Sequence, residues 1–175
     1  MNKQELRAHY LSLRSQLSEE RKQEAAKHLF QKLQSISFDR LASFCSTKGE
    51  IDLQKINEHY ASLGRLLLPR RSEKSLKYFL VTDLSALEPS PYGLREPIPD
   101  LNTASALTKR DLILVPGLAF DSEHFRLGYG KGHFDRFLSE HPSVPTAAVG
   151  YREQLSVTPL PRDPWDLPVQ TLLLF

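Results

Sequence analysis

Residues 126–132 read Arg-Leu-Gly-Tyr-Gly-Lys-Gly, three glycines alternating with Tyr129 and Lys131. Glycine leaves backbone N–H groups uncovered, so such a loop can close tightly around an anion. Arg126 and Lys131 add fixed positive charge to the same stretch. Upstream, Leu112-Ile113-Leu114-Val115 is an apolar run of strand type, stopped by Pro116-Gly117. Downstream, Phe134, Phe137 and Leu138 fall on one helical face. A strand, a glycine loop and a helix start, in that order, direct bare N–H groups and a helix N-terminus at an anion. The chemistry implied is phosphate binding. A glycine turn that merely positions the helix is the blander reading, and the two cations on the loop weigh against it.

Neither common phosphate motif is present. The Walker pattern ends in Gly-Lys-Ser/Thr, whereas Lys131 is followed by Gly132; the dinucleotide pattern fails at His133. Spacing therefore leaves the phosphate ligand's class open. Asp135 falls in the first helical turn, where the helix dipole favours an acid whatever its role. Its functional reading is a Mg²⁺ ligand, with Asp163 or Asp166 as the second carboxylate. Magnesium takes one or two carboxylates besides waters and phosphate oxygens.

These residues need a scaffold. Leu6, Tyr10, Leu13 and Leu17 recur at helical spacing over residues 2–17, with Asn2 and Glu5 as a capping pair. Lys3, Arg7 and Arg14 lie on the opposite face, which pattern alone reads as solvated. Ser18 opens a second helix with Ala26, Leu29, Phe30 and Leu33 on its apolar face. The two make a helical hairpin over residues 2–34, packed on the rest. Strands are expected at 41–45, at 65–68 before the stop at Pro69, and at 76–81, with a helix from Leu53 to the terminator Gly64. Strand, helix and strand at this spacing make a βαβ unit and a parallel sheet. Residues 83–110, rich in proline around Tyr92-Gly93, read as a long surface connection. Further strands are expected at 146–149 and 170–175, with irregular chain over 151–168. The fold expected is a single α/β domain: a three-layer αβα sandwich around a mostly parallel, Rossmann-like open sheet. Glu50, Arg70-Arg71 and the glycine loop all follow strands, and ligands of such sheets sit at the strands' carboxyl ends.

The 175 residues, at net charge +2 and pI near 8.7, lack the strong basic bias of a nucleic-acid binder. A single cysteine, Cys45, excludes an intrachain disulfide and a cysteine-based metal site. The polar N-terminus lacks a signal-peptide core, and no apolar run approaches a membrane span. A cytoplasmic monomer with no nucleic-acid or membrane partner is expected.

VPGLAFD at 115–121 followed by RLGYGKGHFDRFL at 126–138 resembles the signature of the 5-formyltetrahydrofolate cyclo-ligase family. The likeness runs through nearly the whole chain: Lys3 and Arg7 as its K-x-x-x-R, Glu50, LLLPRR at 66–71, YGLREP at 92–97, and Trp165-Asp166. It implies ATP-dependent cyclisation of 5-formyltetrahydrofolate, with or without a polyglutamate tail, to 5,10-methenyltetrahydrofolate, with ADP and phosphate released through a phosphorylated formyl intermediate. Carried over residue by residue, it implies ATP held by Lys3, Arg7 and the run Arg126, Leu127, Gly128, Tyr129, Gly130, Lys131, Gly132, His133 and Phe134. Lys131 and Arg126 would be catalytic, and Asp135 and Asp166 would bind Mg²⁺. Glu50, Cys45, Tyr92 and Trp165 would meet the folate, and Arg70 and Arg71 lie where its acidic tail would pass. Two departures stand out: His133-Phe134 replace the tyrosines common after the last glycine, and Gln170 stands where some relatives have an acid. The alternatives are an ATP-dependent phosphoryl transferase acting on another small molecule and a nucleotide-binding module without turnover.

Overall fold

The computed structural model describes residues 1–47, 49–71, 76–90, 93–98 and 104–175. Tyr92, assigned above to the folate, lies outside them. In chain order the elements are α1 (Lys3–Ser15), α2 (Glu19–Gln34), β1 (Leu41–Ala42), α3 (Gln54–Ser62), β2 (Leu66–Arg71), β3 (Leu76–Val81), β4 (Glu88–Pro89), β5 (Arg95–Glu96), β6 (Leu112–Val115), β7 (Ala119–Phe120), β8 (Arg126–Leu127), α4 (His133–Glu140), β9 (Thr146–Gly150) and β10 (Thr171–Leu174). The main sheet runs β10-β9-β6-β1-β2-β3, parallel throughout except for β3, which pairs antiparallel with β2. Among the described residues no helix is long and apolar enough to cross a membrane.

Alternation along the strands creates the three layers, because successive side chains point to opposite faces. Leu41, Leu66, Leu68, Leu112, Leu114, Ala147, Val149 and Leu173 join one cluster with Ala25, Leu29 and Leu33 of α2 and Ile56 and Tyr60 of α3. The residues between them, Ala42, Leu67, Ile113, Val115 and Ala148, join a second cluster with Phe137 and Leu138 of α4. Chain order departs in both directions from the centre, β1 to β2 one way and β6 to β9 to β10 the other. Right-handed crossovers that run in opposite directions must use opposite faces. That is why α3 and α4 lie on different sides.

The strand expected at 41–45 is only Leu41–Ala42, and the connection 83–110 carries the antiparallel pair β4–β5. Three further local outcomes differ from the reading of the sequence. Pro69 does not end β2, which continues to Arg71 against β3. Beyond Leu67, β2 has no partner on its β1 side, so the missing N–H leaves no gap in the ladder. The residues between Pro116-Gly117 and the glycine loop, assigned no element above, form with its first two residues a hairpin of β7 and β8. The basic face of α1 is not solvated, since Arg14 is 2% exposed. Tyr10 of α1 packs with Leu118, Ala119, Leu127 and Leu160, so this helix lies on the β7–β8 hairpin while α2 covers the sheet.

Gln154 ties the end of β9 to the turn leaving β6. Its Nε2 donates to the carbonyls of Gly117 at 2.9 Å and Leu118 at 3.0 Å, and its Oε1 accepts from the Tyr151 N–H at 2.8 Å. A Cβ on Gly150 would sit 2.5 Å from that Oε1 and 3.1 Å from the Phe120 ring. Gly150→Ala is therefore expected to lower stability by about 1–3 kcal/mol, read from urea unfolding. An unchanged midpoint would mean that the bridge yields without cost.

Candidate active site

At the carboxyl ends of β1 and β6 the connections depart in opposite directions, which leaves a crevice where open α/β sheets bind ligands. A cleft of about 950 Å³ occupies it. Among the described residues it gathers Lys3, Arg7, Cys45, Glu50, the run 126–135, Trp165 and Asp166, together with Thr47, Arg71, Arg136 and Asp163. The expected site residues that lie within the described chain line one cavity, Arg70 excepted.

The glycine loop owes its place to the β7–β8 hairpin. Asp121, 1% exposed, closes that hairpin through Oδ1, which accepts from the N–H groups of Glu123 and Phe125, both at 3.0 Å. Its Oδ2 accepts from the Leu160 N–H and from Arg162. Burial works against the charged carboxylate, but these donors hold its pKa below the usual range. The hairpin sends Arg126 inward, its side chain 4% exposed, to donate to Asp135 Oδ1 at 2.9 Å. Burial lowers the Arg126 pKa and Asp135 opposes that shift; an arginine stays charged regardless. Gly130 (φ +96°) and Gly132 (φ +65°) take left-handed backbone that side-chain-bearing residues avoid. Gly132 is also the residue from which α4 starts.

Helix α1 grips this loop from the other side. Its start is fixed by a capping box, with Asn2 Oδ1 accepting from the Gln4 and Glu5 N–H groups and Glu5 accepting from the Asn2 N–H. Arg7 Nε donates to the Gly128 carbonyl at 2.9 Å. Lys3 Nζ bridges Asp163 and Asp166 at 2.6 and 2.7 Å. Burial lowers the Lys3 pKa, but bonds to the two acids outweigh it and raise the ammonium above its ordinary value. Burial likewise opposes Asp166, yet the Asp163 N–H, Lys3 and Arg126 hold that carboxyl low.

Glu50 faces the loop from the turn after β1. Its Oε2 accepts from the Thr47 N–H at 2.7 Å, and its Oε1 accepts from the Tyr129 hydroxyl at 2.9 Å. Tyr129 in turn accepts from Arg14 Nη2 at 3.0 Å. Arg14 is not singled out by the pattern of charges, although 3, 7 and 14 share one stripe of α1, so the spacing carried the signal. Burial pushes the Cys45 thiol up, which disfavours a thiolate there. Trp165 stands at the rim, 66% exposed. His133 Nδ1 lies 3.4 Å from Arg136 Nη2. Burial, then Arg136, Arg71 and Lys131, lower its pKa and keep the imidazole neutral at pH 7. Arg71 lines the cleft, whereas Arg70 donates to the Pro97 carbonyl at 2.7 Å.

Six cationic side chains (Lys3, Arg7, Arg71, Arg126, Lys131, Arg136) and four carboxylates (Glu50, Asp135, Asp163, Asp166) line the cleft, a net charge of +2. The cations cluster with the glycine loop, and Glu50 lies beyond Tyr129. Such a cleft suits a polyanion at one end and a group rich in N–H donors at the other.

The 5-formyltetrahydrofolate cyclo-ligase family model matches residues 1–174. A probable 5-formyltetrahydrofolate cyclo-ligase of Caenorhabditis elegans is 32% identical over 151 residues, 79% of this chain and 73% of the relative. The 5-formyltetrahydrofolate cyclo-ligase of Escherichia coli K12 is 31% identical over 138 residues, 76% of each chain. The solved structure of 5,10-methenyltetrahydrofolate synthetase from Aquifex aeolicus superposes with a TM-score of 0.81 at 32% identity, covering 98% of this chain and 89% of that one. The corresponding structure from Mycoplasma pneumoniae, 21% identical with a TM-score of 0.73, shares the fold. Motif, fold and cleft agree with a match that spans the sequence, and the chain belongs to the 5-formyltetrahydrofolate cyclo-ligase family.

Proposed function

We propose a two-substrate mechanism for the cyclo-ligase reaction that family membership assigns to this chain. ATP occupies the glycine-loop end of the cleft, and 5-formyltetrahydrofolate lies against Glu50. The formyl oxygen attacks the γ-phosphorus, an O–P bond forms, and ADP leaves. The folate's N10 then attacks the activated formyl carbon. The carbon–oxygen bond breaks, phosphate carries that oxygen away, and the N10 proton is lost, leaving 5,10-methenyltetrahydrofolate. A formamide oxygen leaves poorly until it is phosphorylated. The second nucleophile already belongs to the substrate, so proximity is built in.

Lys131 and Arg126 stabilise charge on the transferring phosphoryl group, while Lys3 and Arg7 face the polyphosphate. Glu50 accepts paired N–H bonds from the edge of the pterin, which a carboxylate does well. Arg71 lies toward the folate's glutamate tail. Among the described residues there is no cluster of three or more metal-ligating side chains. Asp135 and Asp166 nevertheless fit Mg²⁺, which needs only one or two hard carboxylate donors when phosphate oxygens and waters supply the rest. They would hold it, and the ion would supply further neutralisation of phosphate charge. The reading takes the protein as a cytoplasmic monomer.

The observation that carries this reading is the bond between Tyr129 of the glycine loop and Glu50 in one cleft, which supports two substrates lying side by side. Incubation with 5-formyltetrahydrofolate, ATP and Mg²⁺ should raise the near-ultraviolet absorbance of the methenyl product, one ADP forming per product. ATP binding without product would overturn it.

A further inference from the structure

Arg14 presents an energetic problem. The residue is 2% exposed, and among the described residues no carboxylate lies within 4.0 Å of its guanidinium. Its Nε is buried without a partner. A buried charge held so sparsely is costly, and single-handed packing does not explain it. Among the described residues its one side-chain hydrogen bond goes to the Tyr129 hydroxyl at 3.0 Å.

The direction of that bond is forced. Arginine can only donate, so the hydroxyl accepts, and its one proton is shared in a hydrogen bond donated to Glu50 Oε1 at 2.9 Å. Burial first, then Glu50, raise the Tyr129 pKa, so the proton stays on the phenol. The Thr47 N–H holds the other carboxylate oxygen at 2.7 Å, and the Tyr151 hydroxyl donates to the Glu50 carbonyl at 3.0 Å. The carboxylate is therefore oriented through both oxygens, and each keeps a lone pair for a ligand. Tyr129 sits between Gly128, whose carbonyl takes Arg7, and Gly130, against which the Arg7 guanidinium packs. One phenol thus belongs to the anion loop and to the setting of Glu50.

We propose that Arg14 is a positioning residue for folate recognition: it acts through the Tyr129 hydroxyl to hold the Glu50 carboxylate, which binds the paired N–H donors of the pterin. This rests on the reading of Glu50 as the folate-holding acid. Arg14 itself touches neither substrate.

The test is a kinetic comparison of Tyr129→Phe, Arg14→Gln and the double variant, with KM measured separately for 5-formyltetrahydrofolate and ATP. Tyr129→Phe removes one oxygen from a half-exposed ring and leaves the loop backbone unchanged, so it reports even if Arg14→Gln fails to fold. Each single variant is expected to raise the folate KM about tenfold, the scale of a lost bond to a charged group. The ATP KM should stay within about twofold. Because Arg14 acts through Tyr129, the double variant should match Tyr129→Phe alone. A folate KM unchanged in Tyr129→Phe overturns the relay, as does full additivity in the double variant. Parallel rises in both KM values would assign Arg14 a general structural role instead. Equilibrium binding of 5-formyltetrahydrofolate to the wild-type protein separates the two levels: absent binding sinks the folate reading, whereas intact binding with an unchanged Tyr129→Phe variant sinks only the relay.

Discussion

Lys131→Ala should lower kcat by about a thousandfold or more while the thermal midpoint stays within a few degrees of wild type. A cation that stabilises a transferring phosphoryl group contributes on the order of 10³–10⁵ in rate. Lys131 sits between two glycines in left-handed backbone and lines the cleft with Arg126 and His133. Its side chain is exposed, so truncation leaves no cavity, and surface changes of this kind stay near 0.5 kcal/mol. The loss should fall on kcat more than on the KM for folate, because the interaction grows as charge moves onto the phosphoryl oxygens. Stopped assays of methenyl formation with circular dichroism of the same preparation check both parts. A kcat within about threefold of wild type would remove Lys131 from the chemistry.

Arg126→Ala should cost activity and stability together. Arg126 is the most deeply buried cation of the cleft, paired with Asp135 at 2.9 Å, where Asp135 is itself only 16% exposed. Removing the guanidinium strands that carboxylate and opens a void beside Phe134, whose ring lies 5.6 Å from the guanidinium carbon. Breaking a buried pair on one side costs about 3–5 kcal/mol, chiefly through the charge left behind. The double variant Arg126→Ala/Asp135→Ala should therefore be more stable than Arg126→Ala alone, although it lacks one more side chain. Urea midpoints of the three proteins decide the matter. Equal stability of the single and double variants would place the cost in packing rather than in charge.

These two residues also show how unevenly the site could be read. Lys131 declares itself from spacing, since a lysine between alternating glycines has little to do except meet an anion. Arg126 was visible as a nearby cation, but its burial depends on the β7–β8 hairpin, and nothing in the polar stretch 121–125 announces that turn. The hairpin forms because Asp121 supplies acceptors to four donors at once, one of them from residue 160. The two donors from Leu160 and Arg162 are long-range, and that part of the satisfaction leaves no local pattern.

Local order along the chain was legible wherever one rule governed it. Continuous apolar runs specify the buried strands, and helical spacing specifies α1 and α2. Alternating glycines mark the loop, and the order of strand, loop and helix points to the carboxyl ends of a parallel sheet. Those are near-neighbour effects, settled by backbone sterics and the faces of single elements. What only the tertiary structure decided was partnership. Pro69 is tolerated because β1 is too short to reach it. Lys3 lies between Asp163 and Asp166, more than a hundred and fifty residues away. Arg14, one more charge on an apparently wet helix face, is buried because α1 lies across the glycine loop and Tyr129 reaches Glu50 beneath it. The sign and spacing of charges are written in the chain, but which charges lose their water depends on what the folded chain brings over them. That desolvation turns an ordinary basic stripe into the wall of a two-substrate site.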